Sequence, residues 1–147
     1  MRLTTYTDYA LRMMMFVAIK GEQLTTIEEV AKSYGISRNH LMKVAQALGA
    51  AGFLATVRGR GGGLRLGRPA HLITIGEIAR VTEEDMTIVP CFAGSKNDCA
   101  ITVTCTLKHK LEDALDAFMV VLDQTTLADV CKSSLPLLPR SFAQSAE

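Results

Sequence analysis

Three cysteines fall within the stretch VPCFAGSKNDCAITVTC (residues 89–105): Cys91, Cys99 and Cys105, separated by seven and then five residues. Thiolates bind soft or borderline metals, so this cluster offers ligands to zinc, copper(I) or the iron of an iron–sulfur cluster. Structural zinc sites use a short C-x(2–4)-C knuckle, which is absent, and the common ferredoxin runs have other spacings. Spacing alone leaves four readings open: an iron–sulfur cluster, zinc, a thiol redox switch, or no site. Glycine, serine, asparagine and aspartate between Cys91 and Cys99 suit a loop able to wrap a ligand. No histidine-plus-acid arrangement can be assigned to any of the three thiols, so a catalytic cysteine, and with it an enzyme, is not expected. Cys131 stands apart and is read as a bystander.

A second chemistry lies in the charge. The net charge of +1 conceals ten Lys/Arg against four Asp/Glu in residues 1–70, and six against eleven in residues 71–147. A basic half joined to an acidic half points to an N-terminal surface for polyanions. The composition is that of a soluble globular chain, and 147 residues suffice for one domain with a core of its own. The N-terminal apolar run contains Asp8 and Arg12, unlike a secretory signal, and no apolar run reaches the ~20 residues of a membrane span. A cytoplasmic protein is expected, whose reduced thiols favour metal or redox chemistry over disulfides.

The elements that must position these groups follow from the pattern. Residues 5–19 form an apolar helix whose charged members, Asp8 and Arg12, are one turn apart and share a face. A carboxylate on so apolar a helix needs a partner, and Arg12 is the nearest. In TTIEEVAKSYG, Thr25 or Thr26 caps a helix in register with Glu28 and Glu29, and Gly35 ends it. Ser37 then caps a second helix with Leu41, Val44, Ala45 and Leu48 inward. This helix-turn-helix presents Ser37, Arg38, Asn39, His40 and Lys43 outward, where a recognition helix meets base edges and phosphates.

Next, FLATVRGRGGGLRLG reads as a β-hairpin wing, with strand-like residues 53–58 and 64–66 around a glycine-rich tip. Arg58, Arg60 and Arg65 offer phosphate or minor-groove contacts. The run lacks the Gly-Lys-Ser/Thr ending of a P-loop and does not lead from strand to helix, which argues against nucleotide binding. Thr74 and Glu77 open a further short helix. From about Thr104 a long helix carries Leu107, Leu111, Ala114, Leu115, Phe118, Val121, Leu122 and Thr125 on one face, a pattern suited to packing against its twin. The fold expected is mainly α with a small β-hairpin wing. Its parts are a winged helix-turn-helix DNA-binding domain (1–84), a cluster-binding loop (85–105), a dimerisation helix (106–131) and a flexible tail (132–147).

Together, the opening MRLTTYTDYALRMMMFVA, the segment YGISRNHLMKVAQALGAAGFL, the wing VRGRGGGLRLGRP and three cysteines ahead of a long helix resemble a bacterial family of winged-helix iron–sulfur regulators. That family includes nitric-oxide sensors of the NsrR type and cluster-biogenesis regulators of the IscR type. The resemblance covers Met1 to about residue 130, and TDYALR is similar to the NsrR branch. That branch implies a 4Fe–4S cluster held by Cys91, Cys99 and Cys105, with Asp8 contributed by the other subunit of a homodimer. It also implies a repressor of palindromic, double-stranded promoter DNA that responds to nitric oxide; the switch, Asp8 released to pair with Arg12, is read from the sequence itself. The IscR branch implies a 2Fe–2S cluster, a histidine ligand and sensing of cluster supply. Here His109 comes one residue later than that pattern places it, and the gap between the first two cysteines is longer than the IscR branch implies. An iron–sulfur electron carrier is the alternative from another class.

Overall fold

The computed structural model describes residues 2–92, 101 and 104–134. Its helices are α1 (Thr5–Lys20), α2 (Ile27–Tyr34), α3 (Arg38–Ala50), α4 (Ile75–Thr82), α5 (Thr106–Gln124) and α6 (Leu127–Ser134). Strands β1 (Leu54–Val57) and β2 (Gly63–Leu66) form the hairpin, and single 3-10 turns occupy Ala70–Leu72 and Pro90–Phe92. The expected mainly helical fold with a two-stranded wing is the one observed.

The central element is α1. Thr4 caps it by accepting the Thr7 N–H, and Ala10, Met13, Met14, Phe16 and Val17 are buried along it. Spacings of three and four put these residues on one side, where they pack with Val30, Leu41, Val44, Leu48 and Ile78. Asp8 and Arg12 fall outside that stripe and reach the surface.

In α2, Thr26 and Glu29 form a reciprocal capping box. Gly35 adopts left-handed dihedrals (φ 65°, ψ 31°) and donates its N–H to the Ala31 carbonyl. A side chain there would oppose the turn that separates the two helices. Ser37 occupies the cap position of α3, but its hydroxyl makes no capping bond. The cap expected from sequence is positional only.

The wing pairs Leu54 with Leu66 and Val57 with Gly63 in antiparallel register. Thr25, just ahead of α2, adds a bridge to Leu64: its N–H donates to the Leu64 carbonyl at 2.9 Å, and the Leu64 N–H returns a bond of 2.7 Å. The wing is thereby fastened to the helix-turn-helix rather than hanging from it. A Cβ on Gly63 would stand 2.9 Å from the Thr25 carbonyl oxygen, so this close approach requires glycine.

The single helix expected over 106–131 is two helices. Thr125 turns the chain into extended geometry (φ −99°, ψ 115°) after α5. Thr126 and Asp129 then cap α6: the Thr126 N–H donates to Asp129, and the Asp129 N–H to the Thr126 hydroxyl. The Leu127 N–H donates to the Ile73 carbonyl at 2.8 Å, and the Leu127 side chain is fully buried. So α6 turns back onto α1 while α5 runs along the outside. It also continues through Ser134, past the boundary expected at residue 131, and residues 135–147 lie outside the described part.

The α5 helix buries none of its residues fully. Leu107 is 66% exposed, Val120 50% and Val121 60%. One bidentate ion pair bolts it to α4, with Arg80 nitrogens 2.5 and 2.6 Å from the Asp123 carboxylate oxygens.

Candidate nucleic-acid interface and thiol site

The recognition helix has a clear inside. Leu41, Val44 and Leu48 are buried, and Arg38, Asn39, His40, Met42, Lys43 and Gln46 are exposed. Asn39, Met42, Lys43 and Gln46, spaced 0, 3, 4 and 7, form the stripe opposite the buried face. The sequence reading had named Asn39 and Lys43 but not Met42 or Gln46. The signal was available in the helical spacing, because both lie opposite Leu41 and Leu48.

The other expected contacts differ in their surroundings. Ser37 is exposed at the start of α3. Arg38 has its Nε 3.6 Å from a Glu28 carboxylate oxygen. His40 lies at the flank of the reading face, where its ring stacks on Tyr9 of α1 at a centroid distance of 6.1 Å. Lys43 is exposed, and its backbone carbonyl accepts the Tyr6 hydroxyl at 3.2 Å. Arg58 and Arg60 are exposed at the wing tip, and Arg65 is exposed on β2. Arg68 is a different kind of residue: it pairs with Glu77 at 2.9 Å and covers the Phe53 ring. The expected cations and amides are therefore exposed along α3 and the wing.

The thiols are less fully placed. Cys91 sits in the 3-10 turn Pro90–Phe92, and Cys105 immediately precedes α5; both are free and half-buried. Cys99 lies outside the described residues. No group of three or more His, Cys, Asp or Glu side chains converges among the described residues. Cys131 is buried against α1, with its Sγ 3.9 Å from the Met15 carbonyl oxygen, and burial pushes its thiol up to about 11. It belongs to the core.

Asp8 faces solvent on α1, and its carboxylate accepts from Arg12 Nε at 2.9 Å, each side chain 47% exposed. The Arg12 guanidinium also lies 5.8 Å from the Tyr34 ring centroid at the end of α2. His109 is exposed on α5 with its Nδ1 3.2 Å from Glu112.

A polar clamp joins α1 to the segment leading toward Cys91. The Thr4 N–H donates to Glu83 at 2.7 Å, and the buried Thr7 hydroxyl donates to Thr82, whose own hydroxyl donates to the Ile78 carbonyl. Beside it, a cleft of about 320 Å³ is lined by Leu3, Met86, Ile88, Leu115 and Phe118 among others. No helix among the described residues is long and apolar enough to cross a membrane.

Residues 3–133 match the family described as Rrf2, iron-dependent transcriptional regulator. The HTH-type transcriptional regulator NsrR of Bacillus licheniformis is 52% identical over 131 residues, spanning 88% of this chain and 92% of the relative. Its namesake in Bacillus subtilis is 50% identical over 134 residues, or 90% and 92% of the two chains. Among solved structures, CymR, described as the global cysteine regulator of B. subtilis, superposes with a TM-score of 0.74 at 30% identity, covering 90% of this chain and 98% of CymR. IscR of T. potens superposes with a TM-score of 0.72 at 29% identity, covering 91% and 88%. These similarities span the helix-turn-helix, the wing and α5 alike, and the chain belongs to the Rrf2 family of transcriptional regulators.

Proposed function

We propose that the protein is a homodimeric repressor that binds palindromic promoter DNA when it carries an iron–sulfur cluster, 4Fe–4S in type, and releases the DNA in response to nitric oxide. The donor set fits such a group. Cys91 and Cys105 are free, half-buried thiols, soft ligands suited to iron. Cys99 is the third thiol, and Asp8 of the partner subunit completes the set with an oxygen. When bound, the cluster supplies iron that nitric oxide attacks.

The observation that carries the reading is the placement of Asp8. It is an exposed carboxylate on the central helix, held among the described residues by an exposed Arg12 one turn away. An exposed pair of this kind contributes at most about 1 kcal/mol, so Asp8 leaves it readily for a stronger partner. In the repressing state Asp8 reaches across the dimer; in the released state it returns to Arg12, the pairing present here. Its neighbours Tyr6 and Tyr9 touch the recognition helix at Lys43 and His40. A shift of α1 that accompanies the exchange therefore reaches α3 directly and alters the spacing of the two reading heads. The apolar residues Leu107 and Val121, which α5 leaves exposed and which helical periodicity puts on one face, belong to the surface that a second copy covers. His109, occupied with Glu112 on the outer face of α5, supports Asp8 over a histidine as the fourth ligand.

The test is anaerobic reconstitution with iron and sulfide, followed by titration of promoter DNA at several salt concentrations. Iron-loaded protein should bind tightly and lose the DNA on stoichiometric nitric oxide. Equal binding by loaded and metal-free protein at every salt concentration would refute the sensing function.

A further inference from the structure

Two adjacent glutamates open α2, and they have different surroundings. Glu29 is committed to the fold: its carboxylate accepts the Thr26 N–H at 2.7 Å and the Lys20 ammonium at 2.7 Å. Glu28 takes no part in the cap. Its side chain is 77% exposed and stands 3.6 Å from Arg38 Nε, itself 65% exposed. The two line a cleft of about 270 Å³ with Thr26, Thr56, Gly62 and Gly63, where α2, the start of α3 and the wing meet. Among the described residues, no ion pair engages Lys43, Arg58 or Arg60, so Arg38 alone of these cations has a carboxylate beside it.

Structural needs do not account for Glu28. Glu29 already supplies the capping bond and a negative charge at the helix start, and an exposed pair at 3.6 Å contributes little to stability. The carboxylate lies on the face that a nucleic-acid backbone must approach. A phosphate that reaches Arg38 has to displace it, exchanging one ion pair for another, whereas phosphates that reach Arg58, Arg60 or Lys43 meet no such competitor. We infer that Glu28 is a specificity-determining residue: it competes with DNA phosphate for Arg38 and so weakens binding to backbone alone. Contacts to base edges by the stripe of Asn39, Met42, Lys43 and Gln46 then decide which sequences are held. The inference rests on the reading of this face as the DNA-docking surface and is independent of any metal.

The experiment uses the full-length protein, both metal-free and reconstituted anaerobically with iron and sulfide, and two 30-bp duplexes, one of random sequence and one selected by the reconstituted wild-type chain from a random pool. Glu28→Gln should tighten binding to the random duplex by about two- to fivefold, the range an exposed ion pair spans. It should also steepen the salt dependence by about one phosphate's worth, a slope change of roughly 0.9. The selected duplex should gain less, so the preference between the two falls. In an Arg38→Gln background the gain from Glu28→Gln should disappear. An equal gain in that background would mean that Glu28 acts as distant charge, and unchanged affinity and slope would mean that it does not act; either overturns the inference. A loss confined to the selected duplex would make Glu28 a base contact instead and overturns it too. Failure of the wild-type chain to bind either duplex in both the metal-free and the reconstituted form would overturn the docking surface itself.

Discussion

The Tyr9 ring stacks on the His40 imidazole with a centroid distance of 6.1 Å and an interplanar angle of 26°. Tyr9 follows Asp8 directly in sequence, and His40 lies on α3, the proposed reading helix, so one residue joins the two ends of the proposed switch. Tyr6 adds a second tie through the Lys43 carbonyl. An aromatic pair of this kind contributes about 0.5–1.5 kcal/mol, enough to orient a helix without fixing it. Tyr9→Leu combined with Tyr6→Phe should therefore leave the fold intact while uncoupling its two ends. The ratio of DNA affinities between iron-loaded and metal-free protein should shrink about fivefold or more, the lower range of an allosteric coupling. Parallel titrations of both forms, with thermal unfolding as the control for folding, read this out; an unchanged ratio would remove Tyr6 and Tyr9 from the pathway.

Asp8 and His109 make opposite predictions for the metal. Asp8 is held only by an exposed pair, whereas His109 is engaged with Glu112 on α5. Asp8→Ala should release iron to a chelator at least about tenfold faster than wild type, since even the loss of a supporting residue costs that much. His109→Ala should match wild type. Anaerobic visible absorption, together with iron and sulfide analysis, separates the two. The reverse order would assign the fourth ligand to His109.

What the sequence makes legible here follows from local physics. The box Thr26-x-x-Glu29, the turn at Gly35 and the box Thr74-x-x-Glu77 are encoded within four to nine residues, and each forms as expected. The break between α5 and α6 is masked because no glycine or proline interrupts residues 106–131, as in one continuous helix. The clue is Thr126-x-x-Asp129, a capping pattern inside an apolar run, and it takes effect because the Leu127 N–H finds the Ile73 carbonyl far away in sequence. The exposed face of α3 was half legible: Asn39 and Lys43 follow from polarity, while the exposure of Met42 is missed because an apolar residue on such a helix looks like core. Glu28 beside Arg38 could not be seen, since only the turn at Gly35 sets the angle that brings them together.

Gly63 tests whether the wing must be fastened to the helix-turn-helix. A Cβ there would lie 2.9 Å from the Thr25 carbonyl oxygen and 3.2 Å from the Leu24 Cβ. Gly63→Ala therefore pushes β2 away from Thr25 and strains the paired bonds to Leu64. Overpacking of this kind costs about 1–3 kcal/mol. DNA affinity should fall by more than the stability loss explains, because Arg58 and Arg60 ride on the displaced hairpin. Unfolding curves and DNA titration on the same preparation check this, and unchanged DNA affinity in a folded variant would show that the wing's anchorage is irrelevant to binding.

The capping carboxylates predict how stability responds to acid. The Thr74 N–H is the largest influence on the Glu77 carboxyl and lowers it; burial opposes this, and the Arg68 guanidinium adds to the lowering, so the carboxyl is held below the ordinary carboxylate value. For Glu29 burial pushes upward, but Lys20 and Thr26 together outweigh it and the net shift is again downward. A carboxyl held low in the folded state binds its proton later than in the unfolded chain. Its stabilising contribution is therefore complete above the ordinary carboxylate value and is lost as pH falls through that value to the lower folded one. Stability should stay level from neutral pH down to the ordinary carboxylate range and drop below it. Glu77→Gln should cost about 1 kcal/mol or less at pH 7, because a neutral amide accepts the Thr74 N–H more weakly than a carboxylate and loses the charge that faces Arg68. The difference between this variant and wild type should narrow in acid, because protonation takes from wild-type Glu77 the charge that the variant lacks at every pH. Urea unfolding of both proteins across this pH range measures the difference directly, and a gap that stays constant into acid would show that the capping box does not contribute through its charge.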